Sequence, residues 1–328
     1  MTYRVLITGA SGFIGHHIVK EALKNNFEVF AAVRKTSDIS HLKNFSIKYT
    51  YPDFSDVNSL KDDLIEKNYD YIIHAAGLTR ARSQKEYNEV NAGYVYNLAQ
   101  AITESGVKLK KFVLVSSLAA VGPLNTYAGA INEKTSPKPI TSYGRSKLLG
   151  EDLLKKFDGI DYVILRPTGV YGPRDKDIFI FFKQLTRGIE PYIGNKDQKL
   201  SFLYVTDLAE IIVKALYSEH QKTFNLSDGN SYSRYELAGF IKEFLNIKTI
   251  KFNLPVFIVK LVATLSQGYG VLRNKAAVVN IEKINELMAA NWSCDIESAK
   301  DELGFCPKYD LRYGVRETLT WYKSNNWL

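Results

Sequence analysis

The sequence predicts an α/β protein: a doubly wound parallel sheet followed by a smaller C-terminal α/β domain. Three observations predict it. Short β-branched runs alternate with longer amphipathic stretches through the first half of the chain, the pattern of βαβ units. These runs are apolar almost throughout, as strands covered by helices on both faces must be. A glycine-rich turn, Thr8-Gly9-Ala10-Ser11-Gly12-Phe13-Ile14-Gly15, joins the first run to the first amphipathic stretch.

The elements follow in order. Strands are expected at Arg4–Thr8, Glu28–Val33, Ser46–Thr50, Tyr71–Ala75, Lys111–Ser116 and Tyr162–Arg166, and helices near Gly12–Asn25, Val57–Glu66, Tyr87–Ser105 and Tyr143–Phe157. After Arg166-Pro167 the elements shorten between Gly and Pro turns (Tyr171-Gly172-Pro173, Pro191, Gly194, Asp228-Gly229). The expected division is a dinucleotide-binding domain over 1–168, with 201–222 packing back onto it, and a substrate-binding domain from 169–200 and 223–328. The stretch from Asp295 to Trp327 reads as two short helices around Gly304-Phe305-Cys306-Pro307. As a helix, Leu254–Leu265 is apolar nearly all round. Burial is the favoured reading of it; a cover over an apolar pocket and a weak membrane-surface contact are the alternatives.

Composition bounds the function. With 328 residues, 45% apolar and 24% charged, the chain has the make-up of a globular protein of one large or two smaller domains. Two cysteines exclude a disulfide scaffold and a four-thiolate zinc site. Five histidines without ligand spacing give no reason to expect a metal. The net charge is +8, with basic runs such as Lys108-Leu109-Lys110-Lys111. No aromatic–basic motif accompanies them, so no nucleic-acid partner is expected. No stretch reaches the ~18 apolar residues of a membrane span and no secretory leader is visible, so the expected location is cytoplasmic.

The glycine turn is the strongest local signal. Gly9 permits the tight turn, Gly12 lets backbone approach a pyrophosphate, and Gly15 lets helix and strand pack closely. Free N–H groups at the helix start, among Ser11, Phe13 and Ile14, receive the phosphates. In such Rossmann-type units an acid about 20 residues on, at the end of the second strand, selects NAD. Arg34 stands there, followed by Lys35. A guanidinium makes bidentate, charge-assisted contacts to a 2′-phosphate, so NADP(H) is favoured over NAD(H), with nearby Asp38 blurring the contrast.

Ser116-Ser117 end a strand, and Tyr143-Gly144-Arg145-Ser146-Lys147 open a helix. Tyr143 and Lys147, four residues apart, project from one helix face. A free phenol titrates near ~10. Proton exchange at neutral pH therefore calls for help from a neighbouring ammonium and from the positive charge of an oxidised nicotinamide. A serine hydroxyl would hold the substrate oxygen in line.

These motifs resemble the extended short-chain dehydrogenase/reductases, also labelled the NAD-dependent epimerase/dehydratase family, over essentially the whole chain. The likeness covers the glycine turn, Asp53-Phe54 in Pro52-Asp53-Phe54-Ser55-Asp56, His74-Ala75-Ala76-Gly77 and Asn91. It continues through Ser117, Tyr143 and Lys147, then from Leu165-Arg166-Pro167 to Tyr171-Gly172-Pro173-Arg174, and on to Phe202-Leu203-Tyr204-Val205-Thr206-Asp207 and Trp321-Tyr322. It implies that Asp53 and Phe54 approach the adenine and that Ala75, Ala76 and Gly77 underlie the cofactor, with Pro167 and Val170 beside it. Ser117, Tyr143 and Lys147 become the catalytic set, Ser117 lying at the family's distance from Gly122. Asn91 either holds a water that relays protons or braces its helix. The resemblance also implies a homodimer formed through the helices carrying Asn91 and Tyr143.

Departures from the family pattern narrow the activity. Dehydratases resembling this fold follow the serine with an Asp-Glu pair, whereas Leu118-Ala119 stand here. Nucleotide-sugar epimerases carry an arginine where this chain has Leu200, beside Lys199. What remains resembles the ketoreductases, including dihydroflavonol reductases and 3β-hydroxysteroid dehydrogenase-like enzymes. They act on small, largely apolar ketones or alcohols, among which lipid ketones, sterols and flavonoids are not distinguished. The alternatives are a nucleotide-sugar 4-epimerase with tightly held NAD, and a non-catalytic NADP(H)-sensing protein. Candidate substrate contacts are Thr79, Arg80, Ser117, Tyr143 and Tyr171. Arg82 lies in the same loop. His16 and His17 are expected to face solvent or sheet, His74 to be a hydrogen-bonded core residue, and Cys294 and Cys306 to be structural.

Overall fold

The computed structural model describes residues 2–194, 197–219, 221–272 and 281–328. In chain order the first half forms β1 (Arg4–Thr8), α1 (Phe13–Lys24), β2 (Glu28–Ala32), β3 (Lys48–Thr50), α2 (Val57–Lys67), β4 (Tyr71–His74), α3 (Gln84–Asn88), α4 (Tyr94–Ser105), β5 (Lys111–Val115), α5 (Ser142–Leu154) and β6 (Tyr162–Pro167). The expected strands and helices all form, their ends moved by a few residues. The expected helix over Tyr87–Ser105 is broken by a wide turn at Glu89–Gly93, which carries Asn91.

Alternation along each strand explains the unbroken apolar runs. Val5 and Ile7 of β1 face one layer with Ile18, Val19, Leu208 and Ile212, whereas Leu6 faces the other with Leu60, Leu64, Leu98 and Ile102. β5 divides the same way, Val113 and Val115 against Phe112 and Leu114. Both faces are therefore core, which is why the strands are apolar almost throughout.

The second half contributes β7 (Gly169–Tyr171), α6 (Asp177–Thr186), β8 (Ile189–Ile193), β9 (Lys199–Leu200), β10 (Phe202–Tyr204), α7 (Val205–Lys214), β11 (Thr223–Leu226), β12 (Tyr232–Ser233), α8 (Glu236–Leu245), β13 (Ile250–Leu254), α9 (Val256–Leu272), α10 (Ile281–Leu287), α11 (Glu297–Leu303) and α12 (Leu311–Ser324). The main sheet has seven strands in the order β11-β6-β5-β4-β1-β2-β3, every neighbour parallel. Strand order reverses between β1 and β4, and the crevice outside the strand ends there is where an open α/β sheet takes a ligand.

One boundary differs from expectation. The return to the sheet does not stop at 222: β11 pairs with β6, and Ala299, Leu303 and Phe305 in and after α11 pack into the same core. The remainder has its own core of Tyr171, Phe182, Leu185, Ile241, Leu311 and Tyr322. Phe179, Trp321 and Trp327 pack against it. The aromatic-rich second half thus uses its rings as core.

Candidate active site

The glycine turn folds as its spacing requires. Gly9 has φ +70°, and a Cβ there would lie 2.7 Å from the Ala75 carbonyl oxygen. One on Gly15 would lie 2.1 Å from that of Gly9. These close approaches hold the turn against the end of β4 and draw α1 onto β1, shaping a cradle of bare backbone at the start of the helix. α1 starts after Gly12 with no side-chain cap and no acid in its first turn, so its N–H groups and positive dipole end remain available to an anion. Thr8 Oγ1 accepts from the Ala76 N–H at 3.0 Å and pairs with His74 Nδ1 at 3.1 Å, locking the ends of β1 and β4 together. Burial pushes His74 down to about 3, so the core histidine is neutral. The cradle fits a dinucleotide pyrophosphate.

Arg34 and Lys35 are exposed just beyond β2, and Arg34 forms no ion pair among the described residues. Asp53 is pinned by Ser55, whose hydroxyl (2.6 Å) and N–H (2.9 Å) donate to it and hold its carboxyl below the ordinary range. Phe54 lies half-buried between the rings of His74 and Tyr94. Pro167 ends β6, and Val170 sits in the middle of β7.

Ser117 follows β5 and caps the short turn at Leu118–Ala120, accepting from the Ala119 N–H at 3.2 Å. Thr141 caps α5 in the same way through Gly144. A Cβ on Gly144 would lie 2.2 Å from the Ala119 carbonyl oxygen, so only glycine lets α5 come this close to the Ser117 turn. The result sets the Ser117 hydroxyl beside the Tyr143 phenol. Lys147, one helical turn on, is buried, and its Nζ donates to the Val115 carbonyl at 2.8 Å. Gly77 lies against both Lys147 Nζ and Asn91 Oδ1.

The electrostatics differ from expectation. Burial pushes the Tyr143 phenol up to about 12, the Ser117 hydrogen bond lowers it in part, and Glu286 and Tyr87 raise it further. The Lys147 ammonium does not offset this; it is turned to Val115, and burial lowers it from 10.5 to about 8. Without a cofactor, then, Tyr143 is a protonated donor and Lys147 a cation close to losing its charge.

Several residues fall elsewhere than expected. Tyr171 is a correction: it is buried in the C-terminal core against Phe202 and Tyr204, its hydroxyl reaching the Asp310 and Leu311 carbonyls. Strand alternation in β7 turns it away from the sheet's crevice. Thr79 is exposed, and its carbonyl accepts from Tyr87. Arg80 pairs with Asp177 at the start of α6, so the guanidinium offered to a substrate is partnered within the chain. The Asn91 amide is fully engaged, holding both the N–H and the carbonyl of Leu78 and reaching Ser146 Oγ. His17 is buried with its Nε2 2.9 Å from the Pro173 carbonyl oxygen rather than in solvent. Leu254–Leu265 is also a correction, being mostly exposed rather than buried.

Two arrangements have no local sequence signal. Glu282 of α10 accepts from the Ser142 N–H (2.7 Å), Ser142 Oγ (3.0 Å) and Arg145 (2.6 Å), stapling α10 over the start of α5. Burial alone would raise Glu282, but these bonds hold it below its ordinary value. Behind Lys147, fully buried Glu151 takes a two-point contact from Arg166 and a hydrogen bond from Ser116. A cleft of about 530 Å³ between the chain after Gly122 and α10 is lined by Leu124, Tyr127, Ile140 and Met288 with Asn125 and Asn285.

The chain resembles known proteins over nearly its whole length. The chain is 26% identical to a ceramide reductase of Caulobacter vibrioides, over 99% of this chain and 96% of that protein. It is 29% identical to a UDP-glucose 4-epimerase of Vibrio cholerae, over 97% and 95%. Its fold matches a solved UDP-glucose 4-epimerase of Thermotoga maritima with a TM-score of 0.82 at 21% identity, covering 98% of this chain and 99% of that one. The sequence profile that matches residues 5–227 spans the glycine cradle, Ser117, Tyr143 and Lys147, and by it the chain belongs to the NAD-dependent epimerase/dehydratase family.

Proposed function

We propose that this chain is an NADP(H)-dependent reductase that converts a carbonyl on a largely apolar substrate into a secondary alcohol. The observation that carries the reading is the Ser117–Tyr143 pair beside buried Lys147, next to a backbone cradle that fits a dinucleotide. Ser117 holds the carbonyl oxygen, and Tyr143 gives it a proton from its phenol. The nicotinamide, when bound, supplies the hydride that the carbonyl carbon accepts. Lys147 holds the nicotinamide ribose, and Asn91 braces Leu78 and Ser146 beneath it. Exposed Arg34, which forms no ion pair among the described residues, supports a 2′-phosphate contact.

The mixed lining of the cleft beside α10, with Leu124, Ile140 and Met288 next to Asn125 and Asn285, favours an amphipathic ketone. Leu200 favours the same reading, since it packs on the C-terminal core and offers no charge to a diphosphate. Pairing through α4 and α5 is supported by half-exposed Tyr96 and Leu149 on those helices. A 4-epimerase is the second reading, favoured by the Vibrio cholerae relative.

Fluorescence titration of nucleotide-stripped protein with NADPH and NADH, followed by turnover on amphipathic ketones, tests the proposal. NADPH is expected to bind more tightly, Arg34→Asp to erase the preference, and Tyr143→Phe to lower kcat about 10²–10⁴-fold. Tight retention of NAD through purification, with no net reduction of any ketone, overturns it in favour of the epimerase.

A further inference from the structure

Over residues 256–265, α9 touches the rest of the protein through a narrow stripe. Ala263 is buried and Val256 and Val259 are half-buried, spaced along one helix face. Around that stripe Phe257 (72% exposed), Leu261, Val262 and Leu265 (66%) stand in solvent. β13, which runs straight into the helix, adds exposed Ile250 and Phe252. Single exposed apolar residues are ordinary, but six on two adjoining elements mark a surface that is covered when the protein works.

Charge says what covers it. Between Glu243 and Glu282 the sequence holds five basic residues and no carboxylate. Lys248, Lys251 and Lys260 are exposed. A two-fold contact with a second copy would set this acid-free stretch of chain against its own lysines, whereas anionic headgroups complement it. α9 has 17 residues, about 25 Å at the helical rise, and among the described residues no helix is long and apolar enough to cross a membrane. A helix of this kind lies in the interface plane.

We propose that α9, with β13, docks the protein on an anionic bilayer surface, the apolar side chains entering the acyl boundary and the lysines meeting the headgroup phosphates. The next described element, α10, carries the Glu282 that grips Ser142 beside Tyr143. Docking would therefore present the α10 side of the active site to lipid. The proposal goes beyond the reductase reading and survives its failure, because docking is measured without turnover.

The test is flotation of the full chain with vesicles of phosphatidylcholine alone or mixed with phosphatidylglycerol. The wild type is expected to float with the anionic vesicles, weakly with the neutral ones, and less as salt rises. The combined change Phe257→Ser, Leu261→Ser, Leu265→Ser touches only exposed positions. It is expected to keep cofactor binding and to weaken vesicle binding on the order of a hundredfold. Lys248→Gln with Lys260→Gln is expected to remove the preference for anionic lipid. A wild type that floats with neither vesicle overturns the proposal, as does a triple variant that floats unchanged. A triple variant that alters only the molecular mass in solution also overturns it, assigning the face to a second copy.

Discussion

Replacing Lys147 with methionine should stabilise the cofactor-free protein while abolishing turnover. Lys147 is 7% exposed, and its Nζ makes one hydrogen bond, 2.8 Å to the Val115 carbonyl. Burial takes it from 10.5 to about 8, with Glu151 opposing that only in part. At about 1.4 kcal/mol per pH unit, this displacement means that the charged ammonium destabilises the fold by about 3 kcal/mol at neutral pH. Methionine fills a similar volume without charge and forfeits a hydrogen bond worth about 1 kcal/mol, leaving a net gain of about 2 kcal/mol. The sign of the pH dependence follows. Between the folded and unfolded values the folded chain binds fewer protons, so the wild type gains stability as pH rises from about 8 toward 10.5. The variant's advantage should accordingly shrink to near zero by about pH 10. Urea unfolding of both proteins at neutral and alkaline pH measures the difference. A variant less stable than wild type at neutral pH, or an advantage that does not move with pH, refutes the reasoning.

Two further substitutions probe the site's supports. Glu151→Gln strips the buried Arg166 guanidinium of its counter-charge and should cost about 3–5 kcal/mol of stability, read as a fall in the urea midpoint; changing Glu151 and Arg166 together to methionine should cost much less. Gly144→Ala forces α5 away from the Ser117 turn, since the new Cβ would lie 2.2 Å from the Ala119 carbonyl oxygen. A displacement near 1 Å should lower kcat roughly a hundredfold while cofactor affinity changes little, and kinetics with a crystal structure of the variant would check both.

What the sequence made legible is what lies within one element. The strands could be located because burial on both faces leaves continuous apolar runs, and the glycine turn because steric demands fall on residues three apart. Tyr143 and Lys147 could be paired because a helix sets their relation. Contacts between distant elements leave no such trace. Glu282 reaches Ser142 across 140 residues, and neither carries a local pattern that names the other. Alternation in β7 does not say which face is the crevice, so Tyr171 was expected at the substrate and lies in a core. Composition likewise fails for α9: a helix apolar nearly all round reads as buried, and only its packing through Val256, Val259 and Ala263 reveals that Phe257, Leu261, Val262 and Leu265 are open.

The proton inventory of the site sets how each direction of the proposed reaction depends on pH. Tyr143 keeps its proton up to about 12 because burial outweighs the Ser117 hydrogen bond, and the ammonium that would favour a phenolate is held on Val115. Reduction needs a protonated phenol, and the reduced nicotinamide adds no positive charge to disturb it. The kcat for ketone reduction should therefore stay level from about pH 6 to 9, while loss of charge on Lys147 near 8 weakens cofactor binding and appears in the cofactor KM. Alcohol oxidation needs the phenolate, so its rate should climb with pH over the same range, about tenfold per unit until another step limits it. Initial rates in both directions across pH, at saturating and limiting cofactor, make the comparison. A reductive kcat that falls near neutrality would mean that the donor titrates there, and Tyr143 would then not be the group that protonates the substrate.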